Sequence, residues 1–407
     1  MQPPTPSDLD DHDLPRLGEQ LLGKHIALLV CGGIAAMKAP MVARELRRYG
    51  AEVTAFVSAE GLRYVAEEAL AWSCNRPVVK ALSAQAEHLS GDGFDAYVVA
   101  PATYNTLNKF RYGIADTLLT TTLASALGRL AQGKTQILVA PTMHGSMHNP
   151  ILDESVHQLQ AWGVEVIPPR DAYGKHNLPD PEVIAHAVCR ALSASPLKGV
   201  PVLVTGGPTP VPIDSIRRIT TRFTGQLGFA IARELYLAGA DVHLIHGATT
   251  FMPPAWLPHT VIESYQAYRA TIHAHLSTRP YRAGIFSAAV ADYGPSEVYP
   301  GKIASGGALD LFLHPLPKVI QEVRAAFPAL HMVTFKFEQN LTHEALMAIA
   351  QQRLQQGSQA VVANRAEEQG SEQVAWLVRP NQEPLLLTSK SYIADALCQY
   401  LATALNG

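Results

Sequence analysis

Gly32 and Gly33 separate an apolar run, HIALLV, from the amphipathic stretch APMVARELRRYG. Glycines let the backbone turn sharply with its N–H groups open, and a helix starting there aims its positive dipole end at the same point, which suits an anionic phosphate. Neither the G-x-G-x-x-G order nor the acidic residue ~20 positions on that holds a dinucleotide ribose is present, which disfavours NAD. Tight packing of helix on sheet explains the same glycines without a ligand. Farther on, residues 100–124, APATYNTLNKFRYGIADTLLTTTLA, gather hydroxyl and amide groups behind a second apolar run. Thr103, Asn105, Thr120 and Thr121 can hydrogen-bond a heteroaromatic ring edge or a phosphate. Helix capping is their purely structural use.

Such groups need elements to hold them. HIALLV, the glycine turn, the amphipathic stretch and AEVTAFV compose a β-α-β unit. Within it Met41, Ala43, Leu46 and Arg47 show helical spacing, the basic pair Arg47 and Arg48 suits the negative dipole end, and Gly50 stops the helix. DAYVVAPAT and TQILVAPTM repeat the formula of a buried strand followed by Pro-Thr punctuation. Residues 191–201, ALSASPLKGVP, are small, polar and proline-containing, and beyond them VPVLVTGG and QLGFAIARELYLAGADVHLIHG restart the pattern. The expectation is an α/β protein of two tandem doubly wound parallel-sheet domains, flavodoxin-like or Rossmann-like. Its parts are a mobile extension over residues 1–21, a first domain over 22–192, a linker over 193–200 and a second domain over 201–407. Ligands of such sheets bind beyond the carboxyl ends of the strands, where strand order reverses. That rule singles out residues 32–38, 101–106, 141–148 and 291–307.

At 407 residues the chain fits two domains of the usual ~100–200 residues each. A hydrophobic fraction of 47% against 16% charged residues favours large cores over solvated tails. The net charge of −3 leaves no basic excess for a phosphate backbone or an anionic bilayer, so neither nucleic acid nor membrane is expected as a partner. Cys31, Cys74, Cys189 and Cys398 show no C-x-x-C spacing, which argues against a zinc knuckle or disulfide framework and for the reducing cytoplasm. The opening MQPPTPSDLDDHDLPRLGEQ is acidic and proline-rich, unlike a secretory leader. No apolar run reaches the ~18–20 residues that cross a bilayer.

Four segments together carry a resemblance. G-G-I-A-A-x-K over residues 32–38, A-P-A-T-x-N-T over 100–106, G-I-A-D-x-L-L-T-T-T over 113–122 and A-P-x-M over 140–143 occur in the order and spacing of the homo-oligomeric flavin-containing cysteine decarboxylases. The resemblance covers most of residues 22–192 and implies FMN bound between subunits, with Gly32, Gly33, Ser58, Pro101, Thr103, Asn105, Thr121 and Met143 around it. It also implies a catalytic histidine just upstream of the strand leading to A-P-A-T, where His88 stands. Histidine suits proton movement there because its unperturbed pKa is about 6.5. The segment PTMHGSMHNP places His144 where the family commonly has asparagine, and residues 167–188 contain no flap cysteine. Both features look like the archaeal bifunctional enzymes, whose E-G-K-type flap matches Gly174 and Lys175. That likeness implies His144 as a contact to the substrate carboxylate and Lys175 as a catalytic flap residue.

Residues 202–232, VLVTGGPTPVPIDSIRRITTRFTGQLGFAIA, resemble the opening of phosphopantothenate–cysteine ligase. The likeness implies Gly206, Gly207 and Thr209 as the turn at the first strand end, and Thr224 and Gly225 as a phosphate contact at the next helix N-terminus. Thr221 stands where the family usually has the asparagine associated with the acyl-nucleotide, and Arg222 lies beside it. AAVADYGPSEVYPGKI matches the family's A-A-V-A-D-x-x-P and K-I segments, implying Asp292 for a ribose or metal-bound water and Lys302 as a point charge for a triphosphate. Lys318, Phe335 and Lys336 of FKFEQN, and Asn364 of VVAN complete the implied nucleotide and substrate set.

By resemblance, 4′-phosphopantothenate is ligated to cysteine with CTP or ATP and Mg²⁺, whose protein ligands the sequence leaves unassigned. FMN-dependent decarboxylation to 4′-phosphopantetheine follows. The resemblance also implies a homo-oligomer, a dodecamer or a trimeric or dimeric subset of it. Two alternatives stay open on sequence alone: a synthetase whose first domain only binds FMN, and a flavoprotein regulator.

Overall fold

Short apolar runs bounded by glycine and proline become the central strands of two sheets, because a strand covered on both faces must be apolar at every position. The computed structural model describes residues 8–84, 93–368 and 373–406. The chain divides into two compact units, Met1–Ser193 and Ala194–Gly407.

In the first unit the elements run β1 (His25–Val30), α1 (Ala39–Arg48), β2 (Glu52–Val57), α2 (Glu67–Cys74), β3 (Ala96–Ala102), α3 (Tyr104–Arg111), α4 (Leu118–Leu130) and β4 (Gln136–Pro141). They continue with β5 (Met143–His144), α5 (Pro150–Ala161), β6 (Glu165–Val166), β7 (Arg170–Ala172), β8 (Lys175–Asn177) and α6 (Pro181–Leu192). The main sheet is parallel in the order β2-β1-β3-β4-β6, which is the flavodoxin-like order with its reversal between β1 and β3. Residues 26–30 of β1 are all buried, as a strand covered on both faces requires. The buried stripe of α1 is Ala39, Val42, Ala43 and Leu46, whereas Met41 faces out at 60% exposure. Spacing of three and four from Ala39 selects that face, and Met41 falls off it.

Ahead of β1 the expected mobile extension is fastened over its second half. The Leu17 and Leu21 N–H groups donate to the carbonyls of Arg48 and Tyr49, and the Leu21 side chain is fully buried. The leucines in an otherwise acidic, proline-rich stretch supply the anchor.

In the second unit the elements begin β9 (Pro201–Gly206), β10 (Val211–Pro212), β11 (Arg218–Ile219), α7 (Gln226–Leu237), β12 (Asp241–Gly247), β13 (His259–Ile262), α8 (Tyr265–Thr278) and β14 (Ala283–Phe286). They continue β15 (Tyr293–Pro295), β16 (Leu313–Pro315), α9 (Val319–Ala326), β17 (His331–Glu338), α10 (His343–Gln355), β18 (Ala360–Arg365), β19 (Ala375–Val378), β20 (Leu385–Leu387) and α11 (Lys390–Ala404). Strand order is β13-β12-β9-β14-β17-β18-β19-β20, parallel through β18 and antiparallel at the last two. The first six follow the Rossmann order, reversing between β9 and β14.

Alternation sorts the core of this unit into two layers. Val202 and Val204 join Ile231, Leu235, Leu397 and Leu401 on the α7 and α11 face, while Leu203 joins Tyr268, Ile272 and Val323 on the α8 and α9 face. Successive strand residues point to opposite faces, so each strand contributes to both layers. At the start of α7 the backbones approach closely: a Cβ on Gly228 would lie 2.7 Å from the Gly206 Cα. Only glycine allows helix and strand to meet there.

Candidate active sites

In the first unit a cleft of about 1130 Å³ opens at the carboxyl ends of β1, β3 and β4, at the reversal of strand order. The structure brings Gly32, Gly33, Ser58, Pro101, Thr103, Asn105, Thr121, Met143, His144 and Lys175 together as its lining. His88 lies outside the described residues. Cofactor and ligand pockets run to about 300–1,000 Å³, so this cleft is large enough for a cofactor. No side chain caps the short helical turn Ile34–Lys38 after the glycines, which leaves its first N–H groups for an anion. Pro101, Met143 and Leu119 offer apolar surface and Thr103, Asn105 and Thr121 offer polar groups, a lining that fits a flavin phosphate and ring.

Several hydroxyls also serve the fold. Thr103 caps α3, its Oγ1 accepting from the Thr106 N–H, and Thr117 and Thr120 form a reciprocal capping box at α4. Thr120 is therefore committed to its helix start, and the Asp116 carboxylate accepts from its hydroxyl at 3.3 Å. Thr121 donates to the Ala115 carbonyl, and Ser58 accepts from the Gly61 N–H at 3.0 Å. Exposed Asn105 has no side-chain partner among the described residues. The Cys31 thiol at the cleft floor is pushed up by burial, with hydrogen bonds to Thr106 and Thr103 acting in the opposite direction.

One side of the cleft is a three-stranded flap of order β5-β8-β7. Tyr173 and Gly174, with φ of 55° and 64°, form the two-residue turn between β7 and β8, as a primed hairpin turn requires. Pairing of His144 with Lys175 and of Met143 with His176 sets the flap against the P-x-M-H segment. His144 Nδ1 accepts from the Ser146 N–H at 3.1 Å, so the neutral ring carries its proton on Nε2.

In the second unit the switch between β9 and β14 is stitched by hydroxyls. Thr209, 2% exposed, accepts at Oγ1 from the Ala291 N–H at 2.9 Å, which ties the glycine turn to the segment leading to Asp292. Gly207 and Gly225 have φ of 77° and 80°, and both pack against the fully buried His246. Both nitrogens of that ring lack hydrogen-bond partners, and burial, assisted by His259, pushes it down to about 4. Helix α7 starts at Gly225 with no side-chain cap, so its first-turn N–H groups are open to a phosphate. Thr221 Oγ1 is buried without a partner. Its loop is drawn to the end of β17 by an edge contact between the Phe223 and Phe337 rings, 5.8 Å apart.

Lys302 is exposed, with no acidic partner among the described residues. Lys318 pairs with Asp292, and Lys336 pairs with Glu338. Asn364, 6% exposed, lies opposite Phe337 near the end of β18, two residues beyond the partner of Phe335.

Sequence reading passed over two organisers. The Asp214 side chain is fully buried; burial tends to raise its carboxyl, but N–H donors from Arg217, Ile216 and Ile303 and the Arg217 guanidinium outweigh it and hold it well below the carboxylate range. Since the Asp214 carboxylate takes the Ile303 N–H and Arg217 Nη1 donates to the Ile303 carbonyl, this pair positions the backbone next to Lys302. Arg353 on α10 is lowered by burial, while the charges of Glu338 and Asp292 oppose that shift. The I-D-x-x-R spacing was visible in the sequence; the reach of Arg353 to another strand edge was not.

Fold and sites together put the chain in the class of two-domain α/β flavoproteins. Residues 16–193 match the family described as Flavoprotein, and residues 197–405 match the DNA/pantothenate metabolism flavoprotein C-terminal domain. The chain is 36% identical over 362 residues to the coenzyme A biosynthesis bifunctional protein CoaBC of Thermococcus kodakarensis, spanning 87% of this chain and 88% of that one. Against the protein of the same name from Methanocaldococcus jannaschii it is 30% identical over 82% of this chain and 81% of that one. The Bacillus subtilis protein of that name is also 30% identical, over 86% and 88% respectively. The chain belongs to the family of coenzyme A biosynthesis bifunctional proteins.

Proposed function

We propose that the second unit joins 4′-phosphopantothenate to cysteine with CTP or ATP and Mg²⁺, and that the first unit, holding FMN, converts the product to 4′-phosphopantetheine and carbon dioxide. The observation that carries this reading is the gathering of the first unit's motif residues, apart from His88, around one cofactor-sized cleft at the β1 and β3 reversal. Bound there, FMN supplies a reversible electron sink. The open N–H groups after Gly33 hold an anionic phosphate, and Thr103, Asn105 and Thr121 orient polar ring edges. His144 donates from Nε2 to the substrate carboxylate, the Lys175 ammonium faces the same cleft, and the flap restricts water.

In the second unit the uncapped start of α7 and the Gly207 turn receive phosphates. Thr221 Oγ1, otherwise unpartnered, contacts the acyl-nucleotide, and Lys302 stabilises charge on the departing phosphates. Mg²⁺ is commonly held by one or two carboxylates together with substrate phosphates, and Asp292 is a carboxylate at this edge, with Glu338 also within Arg353's reach. No helix among the described residues is long and apolar enough to cross a membrane. The four free cysteines suit the reducing cytoplasm. Ile34 and Met37, 72% and 59% exposed at the cleft, form apolar surface for a neighbouring subunit of a homo-oligomer.

The test is incubation of the full chain with 4′-phosphopantothenate, cysteine and Mg²⁺, with CTP and ATP in parallel, and mass detection of both products. Ligation with either nucleotide followed by decarboxylation supports the reading. Absence of the amide product with both would overturn the ligase half.

A further inference from the structure

Four side chains meet in one row at the flap. Asp153 Oδ1 lies 3.0 Å from His148 Nε2, His148 Nδ1 lies 3.0 Å from His176 Nε2, and His176 Nδ1 lies 2.6 Å from Asp171 Oδ1. Asp171 and His176 belong to β7 and β8, whereas His148 and Asp153 lie just before and within α5. The row therefore ties the β7–β8 hairpin to the start of α5, in addition to the strand pairing that ties it to β5. Register sets Asp171 opposite His176 and, one position along, His144 opposite Lys175. Successive strand residues point to opposite faces, so His144 and Lys175 share one face of the flap and the row holds β8 by the other.

Both nitrogens of each ring are engaged, which fixes how many protons the row needs. A neutral imidazole has one N–H and one bare nitrogen, and an ionised carboxylate only accepts. The contact to Asp171 takes the His176 proton, so a neutral His176 turns a bare Nε2 to His148. His148 then donates from Nδ1, and if it too is neutral its bare Nε2 meets the Asp153 carboxylate, acceptor against acceptor. A third proton removes that conflict: with one imidazolium and one imidazole between the two carboxylates, every contact has an N–H between its heavy atoms.

We propose that this row is a proton-operated clamp on the flap, with His148 and His176 as positioning residues for His144 and Lys175. When the third proton is bound, β8 is held to α5 and the two side chains keep their places at the cleft. When it is lost, two carboxylates face the rings with no positive charge between them, the hairpin loosens and the substrate is held less firmly. Because the firm state carries the extra proton, the flap is firm at low pH and loosens as pH rises. The effect on substrate rests on the decarboxylase reading of the cleft, whereas the clamp is a property of the flap alone. The other charged or titratable groups on the elements around the row are His144, Arg170, Tyr173, Lys175, His157 and Glu154, the last paired with Arg111.

The experiment uses the full-length, flavin-loaded protein and follows amide hydrogen exchange of residues 170–177, corrected for the intrinsic effect of pH, from about pH 5 to 8, where histidine changes charge. In the wild type the protection of the hairpin should fall several-fold as pH rises, while that of β1 and β3 stays level. His148→Gln cannot take up the proton and should respond little to pH. Asp153→Asn, at a side chain 61% exposed on α5, removes one carboxylate and should move the fall to lower pH. Contacts between such exposed groups are modest, so KM for phosphopantothenoylcysteine should rise only about two- to tenfold over the same range in the wild type, with kcat changing less. Hairpin protection that ignores pH in the wild type would overturn the proposal. So would an unaltered pH response in either variant, because the response would then belong to other groups. A wild-type hairpin that follows pH as described in a protein releasing no carbon dioxide would uphold the clamp and refute the decarboxylase reading.

Discussion

Lys302 and His246 show how differently one side chain can matter at the same strand edge. Lys302 has no acidic partner among the described residues, so its charge is available to a ligand. Losing one preorganised electrostatic contact costs roughly 10²–10³-fold in turnover, and Lys302→Ala should slow ligation by about that much while flavin absorbance stays unchanged; undiminished ligation would contradict the role. His246 is neutral when folded because burial, helped by His259, lowers it to about 4, whereas an unfolded histidine titrates near about 6.5. The unfolded chain thus takes up the proton first, so stability is full above about 6.5, falls as pH drops toward about 4, and levels off below. Thermal unfolding followed across that window should show the fall, and His246→Gln should flatten it in part, since His243 is lowered to about 4 as well. The glycines, Thr103, Asn105 and the P-x-M-H residues were legible because each follows an apolar run. The ion pair that occupies Lys318 was not, because loop path brings Asp292 to it from 26 residues away, whereas Glu338, two residues beyond Lys336 on the same strand face, was within reach of strand alternation.

Among elements, the loop after β9 and the segment around Lys302 act as one piece. Asp214 accepts the Ile303 N–H at 3.1 Å, and the Ser215 N–H donates to the Gly301 carbonyl at 3.0 Å. Asp214→Asn keeps the size but removes the charge that holds three backbone N–H groups and a guanidinium, so the Lys302 segment should loosen. The expected result is a several-fold rise in KM for the nucleotide with a smaller change in kcat, read by steady-state ligation; unchanged KM would show that the segment holds its place without Asp214. Because the folded carboxyl is depressed, the stability it contributes is present above about 3.9 and is lost as pH falls below that value. The β-α-β order of both units was readable from apolar runs and glycine turns. The flap was not read as a sheet, since β5, β7 and β8 are only two or three residues long and their pairing joins distant segments.

For the whole molecule the two reversals of strand order place one site in each unit, and the account requires both to work on one substrate in succession. Assembly should follow from the same surfaces. The family resemblance implies a three-fold contact for the first unit and a two-fold contact for the second, which close into a point group when their axes intersect, so light scattering on the intact protein should give a dodecamer or a trimeric or dimeric subset; a flavin-loaded monomer would contradict a cleft completed by a neighbour. The most direct measurement is a time course of the full chain with 4′-phosphopantothenate, Mg²⁺, nucleoside triphosphate and cysteine isotopically labelled at its carboxyl carbon. The label should appear first in phosphopantothenoylcysteine and then leave as carbon dioxide while unlabelled 4′-phosphopantetheine accumulates. Label that stays in the amide product, with flavin bound, would contradict the account by showing that the first unit binds its cofactor without performing the second step.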